Sequence, residues 1–335
     1  MATVQISDVY NPLTFSQAEQ EDQLELNRFI MSGVAVMDAR INAMAATGGN
    51  LGELPFYKAL GTEEPNYSSD DPATNSTPAN ITDSKMTFRL ASQNKSWSTM
   101  DLARDLALAD PVGAITGRVG AYWATNNERR IIKSAMGLLA DNVANDAGDM
   151  VNNIATDAAG AVTAAELISG DAVIDTIQTM GDHGENLGII AMHSVPYRSL
   201  QKQNLIDFIP NSRGEVNIAT YQGMMVVVDD SLPAVSGTNR VTYTSILFTA
   251  GAIAAGFAPT QTPSALERKE SAGNGSGESI LYSRRADIYQ PLGFAFTSAS
   301  VAGQSATQAE LSTAANWDRV WERKNVGIAF LQTNG

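Results

Sequence analysis

The chain has 335 residues, of which 17% are charged and 44% hydrophobic, and it carries a formal net charge of −14. This composition excludes a disordered chain, and an acidic balance without a Lys/Arg cluster argues against a protein that grips nucleic-acid phosphates. Because the chain has no cysteine, disulfide scaffolds, thiol nucleophiles and cysteine-ligated zinc are excluded as well.

The first 50 residues indicate an arm rather than part of a core. MATVQISDVYNPL has neither the basic nor the apolar region of a secretory signal, so we expect a protein made in a cytoplasm. The following FSQAEQEDQLELNRFI offers only a thin helical stripe of Leu24, Leu26, Phe29 and Ile30. No apolar run in the chain reaches the ~18 residues that predict a membrane-spanning helix.

Residues 51–98 predict a long two-stranded excursion with a polar tip. LPFYKAL and KMTFRLASQNKSWS alternate apolar and polar positions as strands do. Between them, Pro65, Pro72, Pro78 and the pair Asp70–Asp71 favour turns over regular structure. Such a loop is uncommon in a compact monomer, so we expect it to serve an interaction.

The main helix is expected in the next segment. Asp110–Pro111 predicts a helix start, because proline is favoured in the first turn. Apolar residues then recur at intervals of three and four, which predicts a helix of more than twenty residues within the mainly helical region 100–156. The positions are Ile132, Met136, Leu139, Val143, Ala147, Met150 and Ile154. Such a stripe is more typical of core packing than of a methionine-lined cofactor site.

Helices and strands alternate over residues 165–260, which indicates an α/β or α+β unit around a small sheet. DAVIDTIQTMGD predicts a helix with Asp171 near its start, and SVPYRSLQKQN predicts another with Ser194 as N-cap. LGIIAMH and MMVVV predict buried strands, and VTYTSILFTAGAIAAGF predicts a strand followed by a tight passage rich in Gly and Ala. Beyond them, AGNGSG matches no phosphate-binding motif, GFAFTS and NVGIAFLQ predict strands, and QAELSTAANWDRVW predicts a short helix.

No pattern in the chain defines a reaction centre. His183 and His193 are not spaced as helical metal ligands are, and Ser194 lacks the surroundings of a nucleophilic serine. Asp229 and Asp230 end the strand MMVVV, where successive side chains point to opposite faces. We therefore expect this pair to be the polar end of a strand, with an Asp/His-dependent hydrolase using Asp229, Asp230 and His193 as the alternative.

Several stretches together resemble the HK97-like major capsid proteins of tailed bacteriophages. IIAMHSVPYRSLQKQNLIDFIPNSRGEVNIATYQGMMVVVDDSLP, YTSILF with GAIAAG, and GFAFTS with AELSTAANWDRVWERKNVGIAFLQTNG carry the resemblance. It implies an α+β fold with five parts: an N-terminal arm (1–50), an extended loop (51–98), a peripheral domain with a spine helix (99–164), an axial domain around a small mixed sheet (165–260), and a return into the peripheral domain (261–335).

The resemblance implies a structural protein of the virion, not an enzyme, with no cofactor or metal site. It would assemble in the host cytoplasm into hexamers and pentamers of an icosahedral shell that encloses double-stranded DNA. Portal, scaffold and decoration proteins are further candidate partners, and an encapsulin-type shell protein is the alternative within the fold. Some relatives cross-link a loop lysine, but nothing distinguishes Lys58, Lys85 or Lys95 here, and we predict no cross-link.

Overall fold

The computed structural model describes residues 28–46, 49–58, 60, 64–107, 111–203, 205–210 and 217–335. Most of the predicted arm, with Leu24 and Leu26, lies outside these residues, and so does Asp110. From the predicted helical stripe of the arm, Phe29 is buried and Ile30 is exposed.

The described residues form seven α-helices and seventeen β-strands. The α-helices are α1 (Arg28–Met31), α2 (Ala39–Ala46), α3 (Asp101–Ala107), α4 (Pro111–Asn145), α5 (Gly170–Gln178), α6 (Ser194–Lys202) and α7 (Gln308–Leu311). The first strands are β1 (Ala35–Met37), β2 (Leu51–Tyr57), β3 (Asp83–Arg89), β4 (Ala91–Met100), β5 (Val151–Asn153), β6 (Leu187–Met192), β7 (Asp207–Pro210), β8 (Asn217–Tyr221) and β9 (Met224–Val228). The remaining strands are β10 (Ala234–Ser236), β11 (Val241–Thr249), β12 (Ile253–Phe257), β13 (Ser264–Lys269), β14 (Glu278–Pro291), β15 (Phe294–Phe296), β16 (Trp317–Arg319) and β17 (Ile328–Thr333).

One sheet is built around the long strand β14. Within the described part of the chain it has five strands: β4 pairs along one edge of β14, while β12 and β13 share the other edge and β1 adds to β12. Helix α4 lies against this sheet, where the indole nitrogen of Trp123 donates to the Ser283 hydroxyl at 2.9 Å. The predicted strand KMTFRLASQNKSWS therefore divides: β3 stays in the extended loop, and β4 joins the body.

A second, mixed sheet holds the segments predicted as alternating helices and strands. Among the described residues it contains eight strands in the order β5-β17-β11-β6-β9-β8-β7, with β10 beside β11. Helices α5 and α6 cover one face through a buried cluster that includes Val173, Leu200 and Ile190. A larger core, with Leu138, Phe248, Ile253 and Phe330, joins this sheet to α4 and to the sheet around β14.

The predicted segments do not coincide with the two sheets. Strands β5 and β17 lie in the eight-stranded sheet although they fall within 99–164 and 261–335, and β12 lies in the five-stranded sheet although it falls within 165–260. The stretch VTYTSILFTAGAIAAGF is interrupted by a turn at Gly251, whose φ of 73° suits glycine, and its two halves pair with different sheets. Local patterning cannot assign a strand to a sheet, because that choice depends on long-range pairing.

The long helix begins at Pro111 as predicted, but it ends at Asn145, short of 156. Ala147 and Gly148 have φ values of 57° and 71°, which no helix continues through. The side chain of Asn142 then accepts from the Met150 amide at 3.0 Å and turns the chain into β5. The helix predicted from the apolar period was therefore wrong beyond Asn145. Met150 and Ile154 do pack in the core, but Met150 lies in a turn and Ile154 lies at the end of β5.

Candidate assembly surfaces

The extended loop is a two-stranded ribbon that carries a long exposed tip. β2 and β3 pair antiparallel from Leu51↔Arg89 to Tyr57↔Asp83, and the Lys58 amide donates to the Thr82 carbonyl at 3.0 Å. Every residue from 64 to 83 is exposed. Tyr57 and Tyr67 are 78% and 76% exposed, which is unusual for large aromatic side chains in a monomer that works alone.

The tip has a shape of its own. The Asn66 amide donates to the Thr77 carbonyl at 3.1 Å across the loop. The Tyr67 hydroxyl donates to Glu64 at 2.6 Å, and the Asp71 carboxylate accepts from the Ala73 amide at 2.9 Å. These turns are typical of Asp and Asn side chains near proline.

The base of the ribbon is anchored to the body. Leu54, Met86 and Phe88 are buried with Ile41 of α2 and Ile288 of β14. The Thr87 hydroxyl donates to the Phe296 carbonyl at 3.0 Å, and the Arg89 guanidinium donates to the Gly303 and Gln304 carbonyls. A ribbon with a fixed base and an uncovered tip is suited to reaching another molecule.

A smaller uncovered apolar patch lies where the described chain begins. Met31, Val36 and Met37 are exposed beside one another on α1 and β1, and Ile30 joins them. Strand β1 pairs only with β12 within the described residues, so it is also an edge of the five-stranded sheet. Exposed apolar side chains at a free strand edge are a common feature of surfaces that another chain covers.

The carboxylates of Asp229 and Asp230 lie in different surroundings. Asp229 is 4% exposed and accepts from the Ser231 amide at 2.7 Å, so it shapes the turn after β9. Asp230 points away: its carboxylate is 71% exposed, accepts from the Ser194 amide at 3.2 Å and lies 3.7 Å from His193 Nδ1. The expectation of a polar strand end is confirmed, because the two carboxylates do not converge.

His193 has a local structural role that the sequence interpretation gave to Ser194. Its Nδ1 accepts from the Val195 amide at 3.2 Å, and His193 is therefore the N-cap of α6. His183 lies elsewhere, with Nδ1 at 3.1 Å from the Lys324 carbonyl oxygen. Within the described residues, no three His, Cys, Asp or Glu side chains gather as metal ligands do.

The lysines considered for cross-linking occupy three different settings. Lys85 pairs with Glu53 at 2.6 Å across the ribbon, Lys58 lies at the end of β2, and Lys95 is on β4 in the body. Among the residues that the structure describes, the three lysines therefore share no interaction partner.

The sequence patterns did not predict a group of paired polar side chains near the end of the eight-stranded sheet, which we call the polar clamp. Arg240 pairs with Glu166 at 2.6 Å, and both side chains are largely buried. The Asp157 carboxylate accepts from the backbone amides of Thr238, Asn239 and Arg240 at 2.8–2.9 Å. Hydrogen bonds from the Thr156 hydroxyl, the Thr163 amide and Arg240 lower the pKa of Glu166 to about 2. Because these partners are far apart in sequence, no local motif indicates the clamp.

The fold is the HK97-like capsid fold. The capsid of Ralstonia phage GP4 matches with a TM-score of 0.61 at 9% identity, covering 91% of this chain and 90% of that chain. The cyanophage Pam1 capsid matches with a TM-score of 0.56 at 11% identity, covering 90% and 87%. Among the described residues, no helix is both long and apolar enough to cross a bilayer.

Sequence comparison narrows this class to one family. The pattern of the Gp13-like family, described as major capsid protein 13-like, matches residues 43–327. The major capsid protein of Bacillus phage SPP1 is 34% identical over 334 residues, which cover 98% of this chain and 97% of that protein. The chain therefore belongs to the major capsid protein 13-like family and is a major capsid protein of a tailed phage, as the sequence resemblance predicted.

Proposed function

We propose that this chain self-assembles into hexamers and pentamers of an icosahedral shell that encloses double-stranded DNA, and that assembly takes place in the host cytoplasm. The observation that carries the proposal is the ribbon, which is anchored by buried Met86 and Phe88 and ends in a fully exposed tip. A closed shell needs contacts in which one patch meets a different patch on the neighbour, and a projecting ribbon supplies one of the two.

The proposed function gives each part of the fold a place in the shell. The five-stranded sheet with α4 would be the peripheral domain, with α4 as its spine helix, and the eight-stranded sheet with α5 and α6 would be the axial domain at the vertices. Residues 51–89 would be the extended loop over the next subunit. The arm, residues 1–50, would lie along neighbouring subunits.

A shell-forming role without catalysis is the proposal that the site geometry supports. The alternative hydrolase would use Asp229, Asp230 and His193 together. Asp230 lies 3.7 Å from His193, but Asp229 is buried in the turn after β9, which supports the shell-forming role over the hydrolase. The full-length similarity to a phage major capsid protein favours a genome container over an encapsulin-type compartment. Portal, scaffold and decoration proteins would be further partners of the shell.

The net charge of −14 suits a container for DNA. A shell lining that does not neutralise phosphates leaves the packaged DNA able to move during packaging and ejection. Mapping the surface potential on the assembled particle tests this part of the proposal, and a strongly basic inner surface would contradict it.

Shortening the ribbon tests the proposed function. The hydrogen bond between Lys58 and Thr82 marks where the two strands can be closed, so residues 59–81 would be replaced by Asn-Gly, a favoured hairpin turn. We expect a soluble, folded protein whose Tm matches that of the parent but which builds no normal shells in electron micrographs. Normal shells from the shortened chain would contradict the proposal.

A further inference from the structure

Two asparagine–glycine pairs occur in the chain, and the fold holds them in opposite ways. They are Asn274–Gly275 and Asn334–Gly335. In such a pair the backbone nitrogen of the glycine can attack the side-chain amide of the asparagine, since glycine has no Cβ to crowd the approach. Asparagine counts among the thermolabile residues of proteins. A given pair reacts only where the fold leaves the asparagine side chain free to turn toward that nitrogen.

Asn274 lies in the loop of residues 270–277, which joins β13 to β14. The residue is exposed, and within the described part of the chain its side chain makes no hydrogen bond or ion pair. A Cβ built on Gly275 would meet nothing within 4 Å, so the space beside the attacking nitrogen is open. The amide that would react and the nitrogen that would attack it are therefore both accessible.

The backbone around Asn274 is held in conformations that favour glycine. Asn274 itself has a φ of 57°, between Gly273 at 64° and Gly275 at 92°. The Gly275 amide donates to the Gly273 carbonyl, and so short a turn with a positive φ at its centre is rare and strained. A non-glycine residue in this region carries a local cost in free energy. The hydrogen bond of the attacking nitrogen is therefore a weak protection against the reaction.

Asn334 lies in the opposite setting, directly after β17. It is 8% exposed. Its side-chain nitrogen donates to the Val241 carbonyl at 3.0 Å, and its side-chain oxygen accepts from the Thr156 amide at 2.8 Å. Turning this side chain toward the Gly335 nitrogen would break both hydrogen bonds inside the fold. The second pair is thus an internal control for the first.

We propose that Asn274 is a site of spontaneous covalent modification, with water as the co-reactant. The Gly275 nitrogen forms a bond to Cγ of Asn274, the side-chain nitrogen leaves, and the proton lost by the Gly275 amide completes the ammonia that is released. Water then opens the resulting succinimide ring at either of its two carbonyl carbons. The products are an aspartate and an isoaspartate, in which the main chain runs through the side-chain carbon.

The modified residue lies in a loop that supports the start of α3. The Asp101 amide donates to the Gly277 carbonyl at 3.1 Å, and the Leu102 amide donates to the Ser276 hydroxyl at 3.3 Å. An isoaspartate adds one methylene group to the main chain of this loop. Either product also adds a second negative charge to a loop that already carries Glu270. The hydrogen bonds to α3 therefore weaken as the modification accumulates.

Peptide mass spectrometry of the incubated chain tests the proposal. The folded chain is kept at mildly alkaline pH in water enriched in heavy oxygen and is then digested with trypsin in ordinary water, so only earlier modification carries the label. Asn274 is the only Asn or Gln in the tryptic peptide 270–284, so a labelled carboxylate there reports on this residue. We expect Asn274 to convert at least about tenfold faster than Asn334, whose two hydrogen bonds must break first.

The unfolded chain calibrates this comparison. In concentrated urea neither asparagine is held by the fold, so both pairs should convert at similar rates. A folded chain that converts Asn274 no faster than Asn334 would overturn the inference. The same holds if the folded chain keeps Asn274 intact for the time in which the unfolded chain converts both pairs.

Two substitutions test the effect on the loop. Asn274→Gly tolerates the positive φ and has no side chain to modify. We expect the Tm of the parent to fall by about 2 °C during the incubation, as for the loss of one hydrogen bond, while that of Asn274→Gly stays constant. Freshly prepared Asn274→Asp carries the charge alone, so its Tm should lie between those of the fresh and the modified parent. A parallel fall for the parent and Asn274→Gly would contradict the weakened support of α3.

The inference goes beyond the proposed function and is tested separately from it. The reaction requires the folded chain and water, and each measurement is made on the purified chain without assembled shells. A chain that forms no shells would contradict the proposed function and leave the rates at Asn274 and Asn334 to decide this inference alone.

Discussion

At the scale of single residues, Gly137 shows why one position on the long helix admits no side chain. A Cβ at Gly137 would lie 2.1 Å from the Leu311 carbonyl oxygen and 2.3 Å from Trp317 Nε1. Those two atoms are hydrogen-bonded to each other at 2.7 Å, so neither moves away without cost. Gly137→Ala should lower the free energy of unfolding by about 1–3 kcal/mol, as overpacking does.

The same helix offers the control for that substitution. A Cβ at Gly120 would meet nothing within 4 Å, and Gly120 is exposed. Gly120→Ala should therefore raise the free energy of unfolding by up to ~1 kcal/mol through helix propensity. Chemical denaturation of both variants compares them, and equal effects of the two would contradict the packing argument.

A second prediction at the scale of single residues concerns Glu166 and the dependence of stability on pH. Its pKa is lowered from 4.5 to about 2 by the Thr156 hydroxyl, the Thr163 amide and Arg240. A carboxyl with a lowered folded-state pKa contributes stability that is present above its unfolded value and lost as the pH falls toward the folded one. Between pH 7 and pH 3, Glu166→Gln should therefore lose less Tm than the parent does. Glu185→Gln changes an exposed glutamate, so its Tm should depend on pH as that of the parent does. Parallel profiles of Tm against pH for the parent and both variants would contradict the stabilising role of Glu166.

At the scale of elements, the sequence predicted those helix and strand features that depend on residues close together in the chain. Pro111 marked the start of α4, and the strand Met224–Val228 with its acidic end was predicted correctly. The apolar period placed Val143 on the buried face of a longer helix, and this prediction was wrong. Val143 is 60% exposed, and the helix ends two residues later. Sheet membership and the Glu166–Arg240 clamp depend on contacts between distant segments, which no window of sequence contains.

The ribbon divides into a base that packs in the core and an exposed tip, which under the proposed function serves assembly. Phe88 is 2% exposed in the core under the ribbon, so Phe88→Ala should cost about 3–5 kcal/mol of unfolding free energy. Tyr57, at the outer end of β2, is exposed, and Tyr57→Ser should leave the Tm within error while reducing the yield of shells. Thermal unfolding and electron microscopy of both variants would check this, and a large loss of Tm for Tyr57→Ser would contradict it.

At the scale of the whole molecule, we propose that this chain covers its projecting surfaces with copies of itself. Among the residues that the structure describes, the tip of the anchored ribbon and the apolar side chains at the β1 edge are exposed. The most direct measurement is a cryo-electron microscopy map of particles assembled from the purified chain. We predict that residues 64–83 lie against an adjacent subunit. A map in which those residues fold back onto their own subunit, or a chain that stays monomeric under every assembly condition, would contradict it.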